Sequence, residues 1–206
     1  SGQTVTRDSL GHQTEYYYDS KKLIYKIVDA NGGITRQIYN SYQDLEVIVN
    51  PEGGTEQYQY NSYGQISRIV NENGEACNYI YDERQNISFV SSPGNRSISW
   101  EYDEQNRLVS RTGMRGNTVY YTYEGKQLKY ITDDKERRFE LFYDKQNNLT
   151  RLRYPNALEQ VFNYDELGNL VFQKDVRGNV TTYEYNDRGL VTRLKDPDGN
   201  IHQFEY

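Results

Sequence analysis

A tyrosine recurs at Tyr18, Tyr39, Tyr60, Tyr81, Tyr102, Tyr123, Tyr143, Tyr164, Tyr185 and Tyr206, each 21 residues after the last except for the 20 between Tyr123 and Tyr143. Even in a chain with 22 tyrosines, ten at a fixed interval are no accident of composition. A period of this length marks an internal repeat, and a repeat constrains the architecture before any local propensity is weighed. Residues 1–206 therefore read as a single array of about nine and a half copies of one small unit, not as ordinary domains.

Two residues before most anchors stands a second ring: Tyr16, Tyr58, Tyr79, Trp100, Tyr121, Phe162, Tyr183 and Phe204, with only Gln37 and Leu141 breaking the column. A spacing of two places both rings on one face of a β-strand. An aliphatic residue follows six after the anchor, as at Leu45, Ile66, Ile87, Leu108, Leu149, Leu170 and Val191. Leu23 and Leu128 join this column if one residue is deleted after Tyr18 and after Tyr123. Three further on comes a second aliphatic column, including Ile27, Ile48, Ile69, Val90, Ile131, Leu152 and Leu194. Three is an odd spacing for one face of a strand, so either a bulge lies between the columns or both faces are partly covered.

Turns separate the strands. Asp or Asn follows the anchor at Asp19, Asn40, Asn61, Asp82, Asp103, Asp144, Asp165 and Asn186, often with Gly or Asn three residues later; Glu124 is the exception. Between repeats the same Asp-x-x-Gly logic recurs, closing on Gly11, Gly32, Gly53, Gly74, Gly116, Gly178 and Gly199. The first side chain of such a turn caps backbone N–H groups, and the glycine takes positive φ. At Glu136 and Ala157 the glycine is missing, which predicts two looser turns. The fold class expected is all-β: antiparallel hairpin repeats of 21 residues forming a long curved or spiralling sheet, because some twenty strands exceed what an open twisted sheet holds without curling.

The pattern Gly-x6-Tyr-Asp-x-x-Gly-x-Leu-x4-Asp, close to its full form at Gly53–Asn71 and Gly178–Asp196 and plain in Tyr164-Asp165-Glu166-Leu167-Gly168-Asn169-Leu170, resembles the RHS or YD repeat. The resemblance covers nearly the whole chain. It implies a β-strip wound into a hollow shell, in very large secreted or cell-surface proteins that include bacterial polymorphic toxins, wall-associated proteins and the animal teneurins. In the toxins the shell encloses a C-terminal effector. Partners implied are the rest of the parent shell and its effector, with surface glycans as an alternative ligand. The chain starts within a repeat and stops on an anchor, so it is expected to be a fragment of a larger protein. Toxin-type shells end in an Asp-Pro-x-Gly motif; Asp196-Pro197-Asp198-Gly199 has those letters but stands in register with the other inter-repeat turns, and is expected to be one of them.

Composition and site chemistry point away from catalysis. A net charge of −6 disfavours nucleic acid as a partner. The single Cys77 cannot form a disulfide within the chain and falls in a packing column, and no apolar run is long enough to span a membrane. His12 and His202 lie at opposite ends of the array, and no triad, zinc pattern or phosphate loop is present, so no catalytic residue, cofactor or metal is expected. The regular Asp residues are explained as turn caps before calcium ligands. Glycosylation sequons at Asn86, Asn95, Asn148 and Asn179 fall near turns and matter only in a eukaryotic secreted protein. The anchor tyrosines themselves are expected to be mostly buried, as a cross-strand packing ladder requires.

Overall fold

Period-two rings followed by turn residues every ten or so positions leave the backbone no route but a meander. The computed structural model of the chain describes residues 2–206. Two compact units divide it, one through Ser99 and one from Trp100 to Tyr206. The first contains β1 (Gly2–Arg7), β2 (Gln13–Tyr18), β3 (Ile24–Val28), β4 (Ile34–Tyr39), β5 (Leu45–Val49), β6 (Thr55–Tyr60), β7 (Ile66–Val70), β8 (Ala76–Tyr81), β9 (Ile87–Ser92) and the start of β10 (Arg96–Tyr102). The second continues with β11 (Leu108–Thr112), β12 (Thr118–Glu124), β13 (Gln127–Asp133), β14 (Arg138–Tyr143), β15 (Leu149–Arg153), β16 (Glu159–Tyr164), β17 (Leu170–Lys174), β18 (Val180–Tyr185), β19 (Val191–Lys195) and β20 (Ile201–Gln203). The described residues contain no helix. From β1 to β9, and again from β11 to β20, each strand pairs antiparallel with its sequence neighbours, so the expected all-β hairpin class is what the chain adopts.

The odd spacing of three resolves as a bulge. Tyr60 lies opposite Ile66, Gln59 opposite Arg68 and Tyr58 opposite Ile69, leaving Ser67 as the extra residue. The same shift recurs one residue before Tyr18, Tyr39, Tyr81, Tyr123, Tyr143, Tyr164 and Tyr185. A bulge adds one residue to one strand, so positions three apart come back to the same face. Both aromatic columns therefore stand directly across from both aliphatic columns, as in Tyr79 opposite Val90 and Tyr183 opposite Leu194. The reverse face carries the intervening residues, among them Lys26, Arg36, Arg68, Glu140, Arg151 and Arg153. One face carries the aromatic and aliphatic columns; the other mixes apolar residues such as Val47, Ile80 and Phe172 with charged ones, most of them basic.

Register corrects one expectation. Tyr18 pairs with Ile24, not Leu23, so the first repeat has no deletion; Leu23 closes the turn, its carbonyl accepting from Asp19 N–H at 2.9 Å. The deletion after Tyr123 is real and lies in the turn, where Glu124 pairs with Gln127 and only Gly125 and Lys126 lie between. Elsewhere three residues form the loop, as in a type I turn followed by a left-handed residue.

The turns at Glu136 and Ala157 are not looser. Glu136 N–H donates to Asp133 C=O at 3.0 Å and Ala157 N–H to Tyr154 C=O at 2.9 Å, the same closure that glycine makes elsewhere. Both residues take the left-handed conformation, with φ of 62° and 64°. The backbone pairing on either side holds that conformation against the Cβ clash. Ala157→Gly and Glu136→Gly should each stabilise the chain by about 1 kcal/mol, and Gly178→Ala, where only φ opposes the added methyl, should destabilise it by about the same amount. Urea midpoints measure all three; an unchanged midpoint for Ala157→Gly would mean that no strain is stored there.

Candidate functional site

Pairing across most inter-repeat turns runs for three residues, as in Val47–Val49 against Thr55–Gln57, whereas β1 and β2 pair over six and β9 and β10 over four. Here the anchor acts. Tyr60 Oη donates to the carbonyl of Leu45 at 2.7 Å. The same bond joins Tyr39 to Ile24, Tyr81 to Ile66, Tyr123 to Leu108, Tyr164 to Leu149 and Tyr185 to Leu170, at 2.8–3.0 Å. In every case the acceptor is the first aliphatic residue of the previous repeat, immediately before the bulge. Tyr143 makes no such bond among the described residues; the equivalent carbonyl would be that of Leu128, in the repeat with the shortened turn.

Nine of the ten anchors are half-buried and Tyr206 is 71% exposed, which corrects the expectation of a mostly buried ladder. Strands in each unit touch only their sequence neighbours, so within a unit no second layer covers the rings. Among the described residues only Leu141 and Ser110 are buried, and no side chain is fully buried. Partial desolvation is nevertheless enough to push the hydroxyls of Tyr39, Tyr60, Tyr123, Tyr143, Tyr164 and Tyr185 above the ordinary tyrosine range. Tyr58 is pushed up to about 12 by desolvation and by its bond to Glu56.

The two sets of turns share one geometry. Asp165 Oδ1 accepts from Leu167 N–H at 3.0 Å and Asn169 N–H at 2.8 Å, and Asn61 Oδ1 accepts from Tyr63 and Gln65 in the same way. Asp196 accepts from Asn200 N–H at 2.8 Å and Gly199 N–H closes on Asp196 C=O, so the Asp-Pro-Asp-Gly segment has this geometry too. A fifth position, which the spacing of Asp and Gly did not single out, completes the turn. In seven Asp-capped turns the fifth side chain donates to the cap: Asn86, Asn148, Asn169, Asn179 and Asn200 through their amides, Arg107 and Arg137 through their guanidinium groups; at Leu23 and Gly33 only the backbone N–H reaches Asp19 and Asp29. In three Asn-capped turns the fifth side chain accepts instead, at Asp44, Gln65 and Glu75, while Gly54 and Leu190 meet Asn50 and Asn186 through the backbone alone. That covariation between repeats was the signal available in the sequence. These bonds hold Asp82, Asp103, Asp165 and Asp196 below their ordinary 3.8, the side-chain donor being the largest cause in each.

The remaining candidates are dispersed. His12 Nδ1 lies 2.9 Å from Asp8, His202 Nε2 lies 3.6 Å from Asp196, and the half-buried Cys77 faces Ile69. No group of three or more His, Cys, Asp or Glu among the described residues could hold a metal ion, and no helix is long and apolar enough to cross a membrane. One groove, of about 670 Å³, runs between successive turns and is lined by Asn40, Tyr42, Asp44, Glu46, Tyr58 and Tyr60 among others. A similar groove recurs beside Asp144 and Asp165, as a repeat dictates.

The model of the Teneurin YD-shell family matches residues 39–206. No curated protein matches the sequence. Among solved structures, TcdB2-TccC3-Cdc42 is 13% identical with a TM-score of 0.57, the alignment covering 96% of this chain and 16% of that one. TcdB2-TccC3 without its hypervariable C-terminal region is 15% identical, TM-score 0.48, covering 95% and 15%; the Photorhabdus luminescens Tc holotoxin pore is 16% identical, TM-score 0.43, covering 95% and 14%. The first of these shows a shared fold, and this chain spans only about a sixth of its length.

Two outcomes test the geometry. Tyr60→Phe and Tyr164→Phe, which strand a carbonyl, should each cost about 1 kcal/mol, whereas Tyr143→Phe should cost close to nothing; urea unfolding of the three variants separates them, and equal losses would refute the ladder. Stability should also be flat in mid-range. The raised tyrosines contribute fully below pH 10 and lose that contribution as pH rises through their folded-state values; the depressed aspartates contribute fully above about 4 and lose it as pH falls. Thermal midpoints across pH 2 to 12 check both limbs.

Proposed function

This chain belongs to the Teneurin YD-shell family, and from that premise we propose that it is a non-catalytic wall segment of an RHS/YD shell, part of one continuous array in a longer protein. The shell encloses a C-terminal toxin or effector and helps deliver it, in a secreted or cell-surface setting. The ten anchor tyrosines are its structural spine and the turn glycines Gly11, Gly32, Gly53, Gly74, Gly116, Gly178 and Gly199 its hinges between strands. The partners are the rest of the shell and the enclosed segment.

One observation carries this reading over glycan display. Six anchor hydroxyls are bonded to the chain's own carbonyls, and their rings stand against aliphatic neighbours. Such groups stiffen a wall and have little left to offer a sugar. The freely exposed rings Tyr42 and Tyr63, 84% and 72% accessible, sit on turn tips and occur in only two repeats.

The test uses the intact parent protein. Its C-terminal segment should resist protease until the shell is opened, and combining Tyr60→Phe with Tyr164→Phe should hasten its cleavage at least several-fold. A C-terminal segment cut equally fast in both proteins, together with saturable glycan binding lost on Tyr42→Ala, would replace the shell with an adhesin.

A further inference from the structure

We propose that the polar face of β13–β16 is a docking site for a short acidic polypeptide segment. The inference rests on the geometry of these four strands and is independent of the enclosed-cargo reading. At its centre lies Phe142, with Arg151, Lys129 and Arg153 at 3.8, 4.5 and 5.3 Å from the ring centroid. Beside it Arg138 lies over Tyr130 at 4.4 Å. Register accounts for the cluster: Tyr130 faces Glu140, Glu140 faces Arg153, Arg153 faces Glu159, and Phe142 faces Arg151, all on one side of the sheet.

The charges do not balance. Glu140 is shared by Arg153 at 3.2 Å and Lys129 at 3.8 Å, and Glu159 by Arg153 at 2.8 Å and Arg151 at 3.7 Å. Arg138 is exposed and has no ion-pair partner among the described residues. Four cations against two carboxylates leave a local excess of positive charge on a chain whose net charge is −6.

Aromatic rings hold the cations by their quadrupoles and keep the side chains extended, so much of the ordering cost is met before a ligand arrives. A guanidinium fork matches a carboxylate in shape and charge. Nucleic acid is a poorer occupant, since a phosphate backbone extending past the patch meets the Asp-rich turns at both sheet edges. A short acidic peptide needs only the local field.

Fluorescence anisotropy with a labelled hexaglutamate peptide and the 206-residue chain tests the proposal. Saturable binding is expected at low salt, falling at least tenfold at about 0.3 M salt as charges are screened. Arg138→Glu should weaken binding about tenfold while the chain stays folded, because it reverses an exposed charge that makes no ion pair and loses only its contact with the Tyr130 ring. Arg151→Gln should weaken it too; if that variant unfolds, Arg138→Glu alone decides. Absence of peptide binding, wild-type affinity in Arg138→Glu, or equal affinity for a thymidine hexanucleotide would each overturn the proposal.

Discussion

A tyrosine hydroxyl donating to a main-chain carbonyl closes the open end of six inter-repeat hairpins, and much of the regularity of the chain follows from it. The bulge exposes the carbonyl that precedes it, and 15 residues later the next anchor supplies the donor. Neither feature is useful alone: a bulge without the phenol leaves an acceptor unpaired, and a phenol without the bulge has no carbonyl presented to it. Tyrosine is the one common side chain that fills both needs, a ring wide enough to lie across the neighbouring aliphatic residue and a hydroxyl long enough to pass beyond it. This explains how a chain only 35% hydrophobic holds a regular sheet with almost no fully buried side chain.

The turns solve a different problem. A hairpin loop leaves N–H groups facing solvent with no strand partner, and the capping Asp or Asn satisfies two of them at once. The fifth residue then orients that cap. Carboxylates cap many of the turns, some paired there with arginines such as Arg107 and Arg137, while on the polar face of β13–β16 aromatic rings and two glutamates hold a cluster of arginine and lysine. Because both sets of turns use the same device, a hairpin is closed in the same way at either edge.

Much of this was legible in the sequence. The anchors, the rings two residues earlier and the Asp-x-x-Gly turns each recur often enough that periodicity alone marks strand, face and loop. Less legible was anything that depends on which residue pairs with which. Leu23 and Ile24 are both aliphatic and adjacent, so composition could not say which faces Tyr18; the turn closure at Leu23 decides it. Glu136 and Ala157 read as looser turns because propensity describes a residue alone, whereas pairing on both flanks imposes left-handed φ on whatever stands there. Burial was overestimated because a column of rings reports a shared face and says nothing of whether another layer covers it. The basic cluster around Phe142 was invisible for a related reason: its members are scattered singly along four strands and meet only through register.

The shortened loop at Gly125 and Lys126 has one more consequence. A residue was removed there, yet Tyr123 still faces Leu128, Tyr121 still faces Ile131, and the bulge keeps its place. Length changes at the sheet edge are thus absorbed before they reach the strands. The repeats behave as a ruler whose markings stay aligned however its margin is trimmed, so turns can be shortened, lengthened or grafted with new loops while the strand register carries on undisturbed.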